Sequence, residues 1–150
     1  MKAIKIKTTP TIDFYSLDDT LTELILPMVE GGISAGFPSP ASDYLDIPID
    51  LNKELIKNPS ATFLGRVKGL SMKDAGIDDQ DIIVVDKSLD PQNGKIAVCY
   101  IEGEFTLKRI KIRGKEIYLM PANIDFKPLR VTEDNDFLIW GIVTYVIKQM

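Results

Sequence analysis

The stretch from Asn93 to Met120, NGKIAVCYIEGEFTLKRIKIRGKEIYLM, decides the fold. Two glycine-bearing pairs, Glu102-Gly103 and Arg113-Gly114, cut it into three runs, Lys95 to Ile101, Glu104 to Ile112 and Glu116 to Met120. Each run is short, rich in β-branched and aromatic residues and bounded by turn residues, which is the pattern of consecutive antiparallel strands. Working outward, the same pattern recurs at Thr62 to Val67 and Asp81 to Val85 on one side, and at Leu129 to Val131 and Phe137 to Ile147 on the other. SLDPQNG (residues 88 to 94) and EDND (133 to 136) supply further turns. So many short strands predict a mainly β domain, either a sandwich or a partly open barrel. A short helix, Leu51 to Ile56, is predicted to stop before Pro59.

The first 45 residues read differently. Ala3 to Lys7 alternates, then Phe14, Leu17, Leu21, Leu24, Ile25 and Met28 fall at helix-like spacing, with Ser16 and Asp19 as a candidate cap and Gly31-Gly32 as a stop. Gly36, Pro38, Pro40 and Pro48 forbid a regular helix or central strand from Ile33 to Pro48. Residues 1–45 are therefore expected to form an arm ending in an extended segment, with 46–150 as the all-β domain.

Composition excludes several chemistries. The 150 residues contain no histidine, which removes Ser/His/Asp and Cys/His nucleophile pairs, HExxH metalloprotease sites and His-bearing zinc fingers together. A net charge of -4 argues against a surface built wholly for DNA backbone. The single cysteine, Cys99, sits between Val98 and Tyr100 and reads as a small buried strand residue. Phe137 to Ile147, the longest strongly apolar stretch, falls well short of the roughly 20 residues that span a bilayer. MKAIKIKTTPTIDF lacks an apolar signal-peptide core, so a cytoplasmic protein without membrane attachment is expected.

Three pieces carry candidate chemistry. In Gly69-Leu70-Ser71-Met72, Ser71 precedes Asp74 by three positions and suits the N-cap of a short helix ending near Gly76. The same geometry exposes its hydroxyl and aims free backbone N–H groups at one spot, as an oxyanion requires. In FTLKRIKI, strand alternation puts Lys108 on the face of Ile110 and Ile112, where desolvation favours a neutral amine able to act as a base. Two other readings stay open: an ammonium that snorkels to the sheet edge, and a bulge near Lys108, since Phe105 and Leu107 lie on the opposite phase. The third piece, Ser34-Ala35-Gly36-Phe37-Pro38-Ser39-Pro40, is either a linker or an extended segment whose small residues can enter a tight cleft.

Together these pieces resemble the UmuD and LexA family of self-cleaving serine/lysine peptidases. The resemblance runs through AGFPSPASDYLD, VKGLSMKDAGI, DIIVVDKS, NGKIAVCYIEGEFTLKRI, LMPANIDFKPL and IWGIVTYVIK, from about Ala35 to the C-terminus. It implies a LexA/signal-peptidase-like partly open barrel or sandwich with an extended N-terminal arm. It also implies Ser71 as nucleophile, Lys108 as neutral general base, backbone N–H groups of Leu70 and Ser71 as the oxyanion pocket, and Ala35-Gly36 as the scissile bond. No cofactor or metal is implied. Two departures stand out: Ala-Gly replaces the Cys-Gly of many UmuD proteins, and Gln80 takes the place of a glycine in the GIDDQD turn.

The region before Gly36 shows no helix-turn-helix pattern, unlike LexA and the phage repressors, so the UmuD branch fits better and sequence-specific DNA binding is not expected. By that resemblance the chain is a homodimer that meets a RecA/single-stranded DNA filament, cuts its arm and leaves a product, Gly36 to Met150, that joins a UmuC-like Y-family translesion polymerase. A non-cleaving polymerase-accessory or binding module with a vestigial dyad is the alternative. A signal-peptidase relative fits less well, having no membrane anchor in this sequence. Asp78, Asp79 and Asp81 read as a solvated turn, and Arg109, Lys111, Arg113 and Lys115 as a one-faced basic stripe that is a solvated face or, alternatively, a contact for a nucleoprotein partner.

Overall fold

The computed structural model describes residues 3–17, 23–29, 46–69, 72, 75–121, 127–134 and 137–150. Nine strands form one antiparallel sheet in the order β1-β2-β5-β6-β11-β7-β8-β9-β10. They are β1 (Ala3–Thr8), β2 (Ile12–Leu17), β5 (Thr62–Val67), β6 (Ile82–Asp86), β7 (Ile96–Ile101), β8 (Glu104–Arg113), β9 (Glu116–Met120), β10 (Leu129–Val131) and β11 (Phe137–Ile147). A separate two-stranded sheet pairs β3 (Ile25–Val29) with β4 (Asp46–Asp50). The chain is mainly β, as the density of short strands and turns requires.

The central strands follow directly from the turn chemistry. Glu102 and Gly103 adopt φ of 50° and 83°, the left-handed pair of a tight hairpin turn, and set β7 against β8 with Ala97 opposite Lys108. Gly114, at φ 61°, reverses the chain again into β9. Asp50 caps α1 (Leu51–Leu55) by accepting hydrogen bonds from the N–H groups of Asn52 and Lys53, and a single 3-10 turn at Pro59–Ala61 leads into β5.

Two apolar clusters lie on opposite faces of the curled sheet. The first gathers Ile12 and Phe14 of β2, Val67, Met72, Ile77, Ile83 and Val85, Val98, Phe105 and Leu107, and Val143. The second gathers Ala97, Cys99, Ile110, Leu119 and Ile142. Although β2 and β8 are far apart in strand order, Thr11 donates its hydroxyl to the Phe105 carbonyl at 2.7 Å and the rings of Phe14 and Phe105 lie 4.9 Å apart. The sheet therefore curls back on itself around the first cluster, a partly open barrel.

The opposite phases on β8 are resolved here. Neither the β7–β8 nor the β8–β9 ladder shifts register, so there is no bulge at Lys108. Phe105 and Leu107 enter the first cluster and Ile110 enters the second, so the strand is buried on both faces. The bulges lie in β11 instead, where its register shifts between Ile139 and Gly141 against β7 and between Val143 and Tyr145 against β6.

The expected arm helix is not observed. Ile12–Leu17 and Ile25–Val29 are strands, and the helix-like spacing arises from apolar residues that belong to two separate strands. Tertiary pairing overrides the local pattern, because β2 gains a five-residue ladder with β5 and buries Ile12 and Phe14 almost completely. The candidate cap residue Asp19 lies outside the described residues.

Candidate active site

Lys108 sits in the middle of β8 with Ala97 as its direct partner on β7. Alternation gives it the face of Ile110, and its side chain is half-buried beside the second apolar cluster. Cys99, on the same face of β7, is fully buried and donates its thiol weakly to the Ala97 carbonyl. Burial pushes the Cys99 thiol up to about 12, while the positive charge of Lys108 pulls the other way. The cysteine is thus a packed strand residue with no thiolate character at neutral pH.

Leu70, Ser71, Ala35 and Gly36 lie outside the described residues, as does the candidate capping interaction of Ser71 with Asp74. The residues on either side of Leu70-Ser71 are held firmly. Lys68 donates its N–H to the Thr11 carbonyl at 2.7 Å, and Gly69, at φ 63°, donates its N–H to Asp79 Oδ1 at 2.6 Å. Met72 is buried and exchanges backbone hydrogen bonds with Ile77, while its carbonyl also accepts the Ala75 N–H in a turn completed by Gly76 at φ 72°. A hairpin-like loop therefore runs from Gly69 to Asp81, with its base closed by the Val67 N–H to Asp81 carbonyl bond of 2.9 Å.

The acidic turn is built into this loop and is not simply solvated. Asp81 is buried, accepts the Asp78 N–H at 2.8 Å and binds Lys148 Nζ at 2.6 Å. Asp78 holds the same ammonium at 2.9 Å. Burial alone would raise the Asp81 carboxyl, but the bonds from Lys148 and the Asp78 N–H outweigh it and hold the carboxyl below its ordinary value. Lys148 is raised in turn, chiefly by Asp81 and then by Asp78. Gln80 adopts φ 70°, which explains why a glycine suits that position of the turn. No sequence signal pointed to Lys148, because a partner 67 residues away leaves no local pattern.

The basic stripe is partly engaged. Arg109 donates to the Gly94 carbonyl at 2.6 Å, and the Arg113 guanidinium lies 5.9 Å from the centre of the Tyr118 ring. Tyr118 donates its hydroxyl to Glu116 at 2.6 Å, which raises the phenol above its usual range, and Glu116 also pairs with Arg130 at 2.8 Å.

The chain matches the Peptidase S24-like family over residues 27–144. It is 44% identical over 121 residues to Protein MucA of Salmonella typhimurium, covering 80% of this chain and 82% of MucA. It is 41% identical over 125 residues to Protein ImpA of Salmonella typhimurium, covering 83% of this chain and 85% of ImpA. Protein SamA of Salmonella typhimurium strain LT2 is 40% identical over 123 residues, covering 82% and 85%. The match over residues 27–144, most of the chain, places it in the S24-like peptidase family. Within that family it is a UmuD-like protein. Among the described residues no helix is long and apolar enough to cross a membrane.

Proposed function

We propose that the chain is a self-cleaving serine peptidase of SOS mutagenesis that cuts its own arm at Ala35-Gly36. The observation that carries this reading is the family match over 27–144, a span that includes Gly36, Ser71 and Lys108, together with the placement of Lys108 on an apolar face. Ser71 Oγ attacks the Ala35 carbonyl carbon while neutral Lys108 Nζ takes the hydroxyl proton. The backbone N–H groups of Leu70 and Ser71 stabilise the oxyanion, and the proton passes to the Gly36 nitrogen as the peptide bond breaks. Water then releases Ala35 from the acyl-enzyme.

In this reading a RecA/single-stranded DNA filament favours the cleavable arrangement of the arm. The dimeric product Gly36 to Met150 serves a UmuC-like Y-family translesion polymerase in the cytoplasm. Mass spectrometry of the purified chain after incubation at raised pH tests the first step. A fragment beginning at Gly36 is expected; an intact chain at every pH, with and without filament, would favour a non-cleaving accessory module instead.

A further inference from the structure

The bond assigned to cleavage lies, in chain order, between two strands that are paired with each other. β3 and β4 are in register from Ile25 opposite Asp50 to Val29 opposite Asp46, and residue 35 falls in the connection between them. Leu24 adds two more ties, its N–H donating to Asp50 Oδ1 at 3.2 Å and its carbonyl accepting the Leu51 N–H at 2.8 Å. Upstream, β2 is the neighbour of β5 in the large sheet. Ile12 is fully buried, and Gly65 leaves the space it fills: a Cβ there would stand 3.0 Å from Ile12 Cγ2. The Phe14 ring packs 4.9 Å from both Phe105 and Trp140. Between them Asp13 binds Lys68 at 2.8 Å and Lys5 at 3.4 Å. A segment with two core side chains, a five-residue ladder and an ion pair is held as part of the fold, whatever happens to the chain beyond residue 30.

We infer that the edge of β5 and the apolar slot beside it form a strand-binding site for the chain's own residues 11–17, so that cleavage yields a nicked two-chain complex and not a freed tail. The site takes an extended peptide with apolar side chains two residues apart and a carboxylate between them, as in Ile12-Asp13-Phe14. The inference rests on the cleavage position proposed above. It adds a separate step, departure of the 35-residue fragment, before any partner could pair with β5.

The test uses the full chain carrying Ser71→Ala and a site-specific endopeptidase recognition sequence inserted between Ala35 and Gly36, cut with added protease and examined by native mass spectrometry and gel filtration. Both fragments should travel as one species, and added labelled peptide of residues 1–17 should exchange in only slowly. In the same chain, Phe14→Ala should speed that exchange by roughly a hundredfold or more, from the usual cost of removing a buried phenylalanine. If that variant does not fold uncut, Asp13→Asn should speed exchange more modestly. Separation of the fragments during gel filtration in the parent chain overturns the inference. Should the protease fail to reach the insert, flanking it with flexible glycine-serine residues in the same full chain poses the same question, and separation of the fragments overturns it. Because the cut is made by an added enzyme, a protein that never cleaves itself does not affect the result. Conversely, self-cleaved fragments that separate refute retention and leave the proposed function standing.

Discussion

Gln80 shows how one residue carries a local cost inside the loop that precedes β6. Its φ of 70° lies in the left-handed region, where an L side chain crowds its own backbone, yet its N–H is fixed to the Val67 carbonyl at 2.7 Å and cannot easily move. Gln80→Gly should therefore stabilise the chain by about 0.5 to 1 kcal/mol, the relief of strain being partly offset by added freedom in the unfolded state, with thermal denaturation as the measure. At the same scale, the base role proposed for Lys108 can be tested apart from its charge. Lys108→Arg keeps the positive charge but cannot lose its proton, so the variant should fold and yield no Gly36 fragment at any accessible pH. Measurable self-cleavage in that variant would remove the lysine from the base role. Both residues were readable in part: alternation gave the face of Lys108, whereas the left-handed turn at Gln80 was visible only as an unusual residue type.

Among elements, the loop from Gly69 to Asp81 depends on a lysine beyond the end of β11. The Asp81 carboxyl is held low in the folded state, so its contribution is fully present above the unfolded value of about 3.9 and is lost as pH falls through the lower folded value. Lys148 is raised, so its contribution is present below about 10.4 and is lost as pH rises through the higher folded value. Lys148→Met should consequently lower the melting temperature more at about pH 7 than at about pH 2, because the Asp81 contribution is lost as pH falls through its lowered folded value. An equal loss at both pH values would mean that the ion pair is not the cause. Lys148→Arg should restore most of the difference.

The elements also show where sequence reading succeeds and fails. Thr62–Val67, Glu116–Met120, Leu129–Val131 and Phe137–Ile147 begin and end where their turn residues place them. There the boundaries are local chemistry, written in glycines, prolines and acidic turn residues. β2 and β3 were missed for the opposite reason: Phe14, Leu17, Leu24 and Met28 imitate a helical period, while β2 is fixed by pairing with the distant β5 as well as with its neighbour β1. Of the candidate site, the face of Lys108 was legible because strand alternation is local. The scaffold behind Gly69, made by Asp79 and Lys148, was not, since it depends on contacts across the fold.

For the molecule as a whole, the N-terminal hairpin is part of the first cluster and not an appendage. Phe14→Ala should cost roughly 3 to 5 kcal/mol in urea unfolding of the uncut chain, the usual range for emptying a buried aromatic site. A value below 1 kcal/mol would mark the hairpin as loosely attached. The surface edge it presents is also managed by sequence: β1 is exposed along its length and reads AIKIKT, with Lys5 and Lys7 alternating with Ile4 and Ile6 on an otherwise open strand.

One feature of β8 reaches further. Because Phe105 and Leu107 belong to one cluster and Ile110 to the other, with an unbroken ladder on either side, neither cluster can come apart while the other keeps that strand in place. The two halves should melt as one cooperative unit. In native-state hydrogen exchange the amides of β7 and β8 should open only with global unfolding, while those of β1 and β10 at the margins of the sheet exchange through smaller fluctuations.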